Sequence, residues 1–201
     1  MSQETRDEFH RLNEVRANVY ETLAEFFRGQ GTNKLVSVWP QLTEFTEGME
    51  QIAGTAGAPI PVRVPAAIEI EKNLARLFYG VGEKTIPLVA SAYTNAQHLV
   101  GQEDCRTLSA FYAKFGWSPK EELQVFADSL PVELGFLALL VRQGCARDQI
   151  ELIALYLYPL VCTVSAAAKA EESGFVGEVL QVLKRLLFAD KALLSQVIAE
   201  S

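Results

Sequence analysis

The sequence predicts an all-α fold, a single-domain bundle of roughly eight or more helices. Apolar residues recur at steps of three or four along nearly the whole chain, which is the period of an amphipathic helix. No segment shows the strict two-residue alternation of a half-buried strand. The 201 residues are 49% hydrophobic and 21% charged, a globular composition at a length that favours one domain over 1–201.

The first part of the chain is predicted to hold two helices and a loop. The second helix spans about 33–53, where Trp39-Pro40 either kinks or splits it. The sequence "GTAGAPIPVRVP" at 54–65 is a loop rather than a domain boundary, because two helices alone could not bury their apolar stripes. The first helix stops at Gly29 and Gly31, and its predicted apolar stripe is Leu12, Val15, Val19, Leu23, Phe26 and Phe27.

Three helices are predicted in the middle of the chain. Pro65 suits the first turn of one that ends at Gly80 in a left-handed conformation. The segment "SAYTNAQHLVG" follows, and Asp104 then caps a helix that ends at Gly116. The apolar positions of the helix before Gly80 are Ile68, Leu74, Leu77 and Phe78.

The last third of the chain contains the most apolar helices. Ser118 and Glu121 have the spacing of a capping box, and "LPVELGFLALLVRQG" at 130–144 is a helix closed by glycine. A helix from Asp148 to about 170 follows, then a helix through "GFVGEVLQVLKRLLF" and a short tail helix after Ala189. The apolar run 152–168 contains a proline and is short for a membrane span, so we interpret it as a buried helix.

Charge and cysteine usage exclude several classes of protein. The net charge of −7 disfavours nucleic acid as a partner, because phosphate binding needs clustered Lys and Arg. The stretch "MSQETRDEFHRLNE" lacks the apolar core of a secretory signal. Cys105, Cys145 and Cys162 are odd in number and far apart, unlike a disulfide framework or a zinc knuckle. We therefore expect a soluble cytoplasmic protein without direct membrane insertion.

The stretch "YGVGEKT" at 79–85 has the letters of a phosphate-binding loop but not its pattern. Glu83 separates Gly82 from Lys84, Leu77 stands where the first glycine belongs, and an amphipathic helix replaces the preceding strand. The dinucleotide fingerprint fails at Thr85. We interpret this stretch as a helix end, and predict no cofactor.

The sequence offers no catalytic or metal-ligating constellation. His10 and His98 are the only histidines, and neither has a partner at the spacing of a helical two-ligand motif. None of the cysteines has a nearby base, and Cys162 lies in an apolar helix. The residues therefore favour a binding protein over an enzyme. The aromatic residues beside loops either line a groove for an apolar peptide or close the core at helix ends: Phe78, Tyr79, Tyr93 and Trp117.

Four blocks resemble the TorD/DmsD/NarJ family of redox-enzyme maturation chaperones, in family order. They are "ANVYETLAEFF" (17–27), "LARLFYGVGEKTIPLVASAYTN" (74–95), "ADSLPVELGFLALL" (127–140), and "LYLYPLVCTV" followed by "GFVGEVLQVLKRLLF". The resemblance implies a TorD-like helical fold and a cytoplasmic chaperone for the catalytic subunit of a molybdopterin oxidoreductase. Such a chaperone binds the subunit's leader, often a twin-arginine signal peptide, and holds the apoenzyme until its cofactor is inserted.

The resemblance also implies where the leader binds. Asp128 matches the signature aspartate and is expected to pair with an arginine of the leader, Ser129 stands at the signature histidine, and Glu133 matches the signature glutamate. The groove positions implied by the family are Leu74, Leu77, Phe78, Val89 and Tyr93.

Several positions depart from the family pattern. Ala127 replaces a signature proline, and Leu74, Gly82 and Val89 stand where one branch has tryptophan. An alternative is therefore a helical scaffold or oligomerisation protein of the same fold that lacks leader binding. A helical ligand-sensing regulator is a further alternative, but it would need a basic recognition helix that the sequence lacks. The sequence leaves open a monomer or a homodimer.

Overall fold

The computed structural model of the protein describes residues 3–81, 84–95, 99–101, 103–119 and 126–199, with side chains from residue 10 onward. These residues form helices and no strand, which confirms the all-α fold. The helices are α1 (Gln3–Phe27), α2 (Thr32–Ala53), α3 (Ala67–Phe78), α4 (Ser91–Thr94), α5 (Glu103–Ala113), α6 (Leu130–Arg142), α7 (Ala146–Leu152), α8 (Tyr158–Ala170) and α9 (Gly174–Ala199), with a π-helical segment, Ile153–Leu157, between α7 and α8.

The two longest described helices, α1 and α9, organise the core. α6 packs along α1, and Arg142 holds this pair together by donating to Glu21 over 2.5 Å between Nη1 and Oε1. α9 packs against α2, α3, α7 and α8. The apolar faces of all these helices join in one hydrophobic core, in which Trp39 is fully buried and packs edge-on against Phe175.

α2 runs without interruption from Thr32 to Ala53, so the predicted alternative in which Trp39-Pro40 splits this region is wrong. Trp39 is buried on the inner face while Pro40 is exposed, and packing of the inner face holds the helix through the proline. The loop after it is also held in place. Trp39 Nε1 donates to the carbonyl of Pro61 over 3.2 Å, and Arg185 Nη1 donates to that of Ala58 over 2.7 Å.

The predicted stripe of α1 is wrong at its N-terminal end. Leu12 and Val15 are 42% and 46% exposed, while Arg16 and Tyr20 are buried. The reason is an ion pair across the core, in which Arg16 Nη2 lies 2.8 Å from Asp190 Oδ1 and Tyr20 donates to the same carboxylate. The predicted separate tail helix after Ala189 is wrong, because α9 continues from Gly174 to Ala199. Ala189 and Asp190 are both buried within this helix.

Smaller differences occur at the helix ends. Pro65 precedes α3 instead of occupying its first turn, and Ile68 is 57% exposed while Ile70 takes its place in the core. The helix predicted from Ser91 is only the four-residue α4, and Asp104 lies inside the first turn of α5 rather than at its cap. The capping box at 118–123 extends into residues outside the described ranges.

The helical segment Ala146–Ala170 is long and apolar enough to cross a membrane by length and composition. In this fold Leu152, Leu157 and Val161 are fully buried in the core, and Leu155 on the other side is exposed. The segment is a helix that contributes to the core, as the sequence predicts.

Candidate peptide-binding cleft

A cleft of about 490 Å³ opens where the ends of α1 and α3 meet the start of α6. Its walls are largely apolar, and the exposed side chains at its edge include Tyr79 and Phe126. An apolar cleft edged by exposed aromatic rings is a surface on which an apolar peptide segment can be buried. The lining residues are Phe27, Arg28, Gln30, Phe78, Tyr79, Pro87, Leu88, Val89, Phe126, Ser129 and Pro131.

The C-terminal end of α3 is fixed against α1. The Tyr79 hydroxyl donates to the carbonyl of Phe27 over 2.7 Å, and the rings of Phe27 and Phe78 meet edge to face at 6.2 Å between centroids. Gly80 follows with φ of +74°, a left-handed conformation that suits glycine and turns the chain away from the helix. The predicted helix end at Gly80 is confirmed, and it places Phe78 and Tyr79 on one wall.

The opposite wall is made by two short segments that pair in an antiparallel manner. The Leu130 amide donates to the carbonyl of Leu88 over 2.8 Å, and the Ala90 amide donates to that of Asp128 over 2.9 Å. The Asp128 side chain adds a third bond, because its Oδ2 accepts from the Ser91 amide at 2.7 Å. These bonds hold Val89 and Ser129 side by side at the cleft.

The predicted site residues separate into three groups. Phe78, Val89 and Ser129 line the cleft. Leu74 and Leu77 are buried in the core on α3 and do not line it. Tyr93 does not line the cleft but a different cavity, which the next residues of the same segment help to form.

The two predicted carboxylates are both fully buried. Asp128 is 0% exposed and uses one oxygen to hold the Ser91 amide. Glu133 is also 0% exposed, and neither of its oxygens has a hydrogen-bond partner within the described residues. Burial raises the pKa of Glu133 well above its ordinary value, and the charges of Asp128 and Asp104 raise it further. Pairing of Asp128 with a leader arginine stays a prediction. In this structure neither carboxylate oxygen of Asp128 is exposed to a ligand.

Sequence reasoning missed some of the cleft. The sequence predicts Phe27 as part of the α1 stripe and not as a cleft wall, and it predicts no role for Phe126, yet both residues line the cleft. The signal for Phe126 is weak because it lies in a short apolar stretch before Asp128, without helical periodicity of its own. Arg28, at the mouth of the cleft, donates to the carbonyl of Pro131 over 3.3 Å.

The described residues that line the cleft include no histidine, cysteine or carboxylate. In the described part of the chain, no three His, Cys, Asp or Glu side chains are grouped so as to hold a metal ion. His10 is exposed, and His98 lies outside the described residues. The three cysteines are unbridged and half-buried.

A comparison with family models decides the family. The model described as "Nitrate reductase delta subunit" matches residues 39–160, more than half of the chain. The chain belongs to the nitrate reductase delta subunit family. This is a family of molybdoenzyme maturation chaperones, so the protein is a chaperone and not an enzyme, and its partner is a molybdoenzyme. No curated protein and no solved structure matches the chain.

The nitrate reductase delta subunit match covers most of the cleft. It includes the end of α3, residues 87–89 and the start of α6, whereas α1 and α9 lie outside it. Of the four blocks that resemble the chaperone family, those at 74–95 and 127–140 lie entirely within the match.

Proposed function

We propose that this protein is a cytoplasmic chaperone that binds the leader peptide and the apo form of a molybdopterin oxidoreductase catalytic subunit. It holds the subunit during cofactor insertion, assembly or export. The observation that carries the proposal is the cleft between α1, α3 and α6, which presents Tyr79, Val89 and Phe126 together in a family of molybdoenzyme chaperones.

The apolar segment of a leader is the part that this cleft suits. Phe126 is 39% exposed and Tyr79 is 46% exposed, so a bound segment would cover aromatic surface that now faces water. Each 100 Å² of apolar area covered contributes roughly 2.5 kcal/mol. Micromolar binding corresponds to about 8 kcal/mol, and part of the gain offsets the ordering of the peptide. A few apolar leader residues in the cleft are sufficient.

The proposal holds for a monomer or a homodimer. Exchange of α1 and α2 between two copies would have to release the loop 54–65. Ala58 and Pro61 are tied there to Arg185 and Trp39, and the Ile60 amide donates to Glu47 over 2.7 Å. These bonds favour a chain that keeps its own first two helices.

The test is calorimetric titration of the full chain with synthetic leaders of the host's molybdoenzymes. We expect micromolar or tighter binding of at least one leader, weakened roughly tenfold by Phe126→Ala. Phe188→Ala is the matched control, because Phe188 is 44% exposed, lies on α9 and does not line the cleft.

Two results would contradict the proposal. One is the absence of binding by any leader, and the other is an equal loss of affinity in both variants. A pull-down from host lysate gives a second readout: co-purification of a molybdopterin subunit is expected, and its absence would favour a scaffold of the same fold.

A further inference from the structure

A second cavity lies directly beside the cleft. Residues 87–89 line the cleft and the next ones along the chain line this cavity, which has a volume of about 100 Å³. The Tyr93 hydroxyl donates to the carbonyl of Pro87 over 2.7 Å and so ties the two sides together. The cavity is lined by Ala90, Tyr93, Thr94, Asp104, Leu155, Tyr156, Pro159, Leu160 and Thr163.

The far wall of the cavity comes from an irregular part of the helix Ala146–Ala170. Leu155 and Tyr156 belong to the π-helical segment Ile153–Leu157, and Pro159 and Thr163 follow in α8. Such a segment adds a residue to one helical turn and is frequent at functional sites. Here it contributes Tyr156 to a cavity that Tyr93 and Asp104, in the first turn of α5, also line.

The charge around this cavity is negative. Asp104 is the one charged side chain among its described lining residues, and Thr94 donates a short hydrogen bond to one of its oxygens. Burial raises the pKa of the Tyr156 hydroxyl, and the charges of Glu151, Asp104 and Glu133 raise it further in that order. A cavity edged by one carboxylate and two tyrosine rings is suited to a cation.

We propose that this cavity binds the guanidinium group of a leader arginine, with Asp104 as its acceptor. A guanidinium is planar, donates in several directions and packs on aromatic faces, so it matches a carboxylate flanked by Tyr93 and Tyr156. The volume is equivalent to about three water molecules, enough for a planar group of this size. This inference rests on the proposed function.

The position of the cavity decides between Asp104 and Asp128 as the acceptor. Asp128 is fully buried and bonded to the Ser91 amide, whereas Asp104 is partly exposed. Consecutive parts of the segment 87–94 line the two cavities, so a leader whose apolar segment lies at Val89 is expected to direct a neighbouring arginine toward Asp104.

The test uses two peptides and the full chain. One peptide is the host leader that binds tightest in the titration above, and the other is the same leader with its arginines replaced by glutamine. We expect wild type to prefer the arginine peptide by about tenfold, and Asp104→Asn to lose that preference while binding the glutamine peptide as before. Asparagine keeps an acceptor for Thr94.

The control is Glu103→Gln, which removes an exposed charge from the same helical turn without lining the cavity. It should keep the preference for the arginine peptide. Thr163→Lys, which adds an ammonium group at the cavity rim, should reduce binding of the arginine peptide more than that of the glutamine peptide. Circular dichroism of each variant monitors folding.

The outcomes separate the two proposals. If a leader binds wild type but Asp104→Asn keeps the preference for arginine, this inference is overturned and the cleft proposal stands. This inference is also overturned if Glu103→Gln loses the preference for the arginine peptide as much as Asp104→Asn does. If no leader binds wild type, both proposals fall.

Discussion

The buried carboxyl group of Glu133 should make the stability of this protein depend on pH. The folded-state pKa lies well above the ordinary value of 4.5, chiefly because of burial. Between pH 4.5 and the folded-state pKa, the folded protein keeps a proton that the unfolded chain releases. The stability contributed by this proton is therefore fully present below pH 4.5 and is lost as the pH rises through the window.

The size of the effect follows from one bound proton. A difference of one proton between the two states changes the free energy of unfolding by about 1.4 kcal/mol per pH unit. The contribution of Glu133 to stability should fall at this rate as the pH rises above 4.5, for as long as the folded protein keeps the proton. Glu133→Gln removes the titrating group and should remove this slope.

The assay is urea unfolding of wild type and Glu133→Gln at several pH values in that window. The stability of the variant relative to wild type should increase steadily with pH. Glu71→Gln is the control, since Glu71 is exposed on α3, and its curve should run parallel to wild type. If the curves of Glu133→Gln and wild type are parallel as well, Glu133 does not hold a proton in the folded state and the reasoning is wrong.

Three further variants test other contacts. Asp128→Ala removes the acceptor of the Ser91 amide and should lower the free energy of unfolding by about 1–3 kcal/mol in urea titrations. It should also weaken binding of the arginine peptide and of the glutamine peptide by the same factor. An unchanged midpoint would contradict this role. Arg16→Met leaves Asp190 buried without its cation and should cost about 3–5 kcal/mol, which thermal unfolding would detect; a loss below about 1 kcal/mol would show that the pair is dispensable. Tyr79→Phe removes the bond to the Phe27 carbonyl and should cost about 1 kcal/mol in urea titrations. Because burial raises the pKa of Tyr79 to about 12, this cost should be constant from neutral pH to about pH 10, and a cost that vanishes in that range would refute it.

Helix periodicity predicted most of the fold because it is a local property of the sequence. α3, α6 and the left-handed end at Gly80 follow from spacing and from glycine. The buried face of α1 does not follow from spacing, because it contains the charged residue Arg16. Arg16 can be buried because Asp190 on α9 forms an ion pair with it. A pair so distant along the chain has no local signature.

The candidate site was predicted in part for the same reason. Phe78 is predicted both from its position beside a loop and from the family resemblance, Val89 and Ser129 from the resemblance alone, and all three line the cleft. The roles of the carboxylates are harder to predict, because the residue type alone does not show whether a side chain is exposed. Asp128 accepts a hydrogen bond from the Ser91 backbone amide, and Glu133 is buried. Asp104 lines a cavity, but in the sequence it looks like any acidic residue at the start of a helix.

The ion pair between Arg16 and Asp190 also bears on how the protein is made. Its partners are 174 residues apart, and α9 packs against α3, whose end forms a wall of the cleft. At about 5–20 residues per second, the ribosome needs roughly 10–35 s to extend the nascent chain from one partner to the other. During that time Arg16 lacks its anion and the apolar face of α3 lacks its cover. This chaperone should therefore be unable to receive a client until its own α9 has left the ribosome.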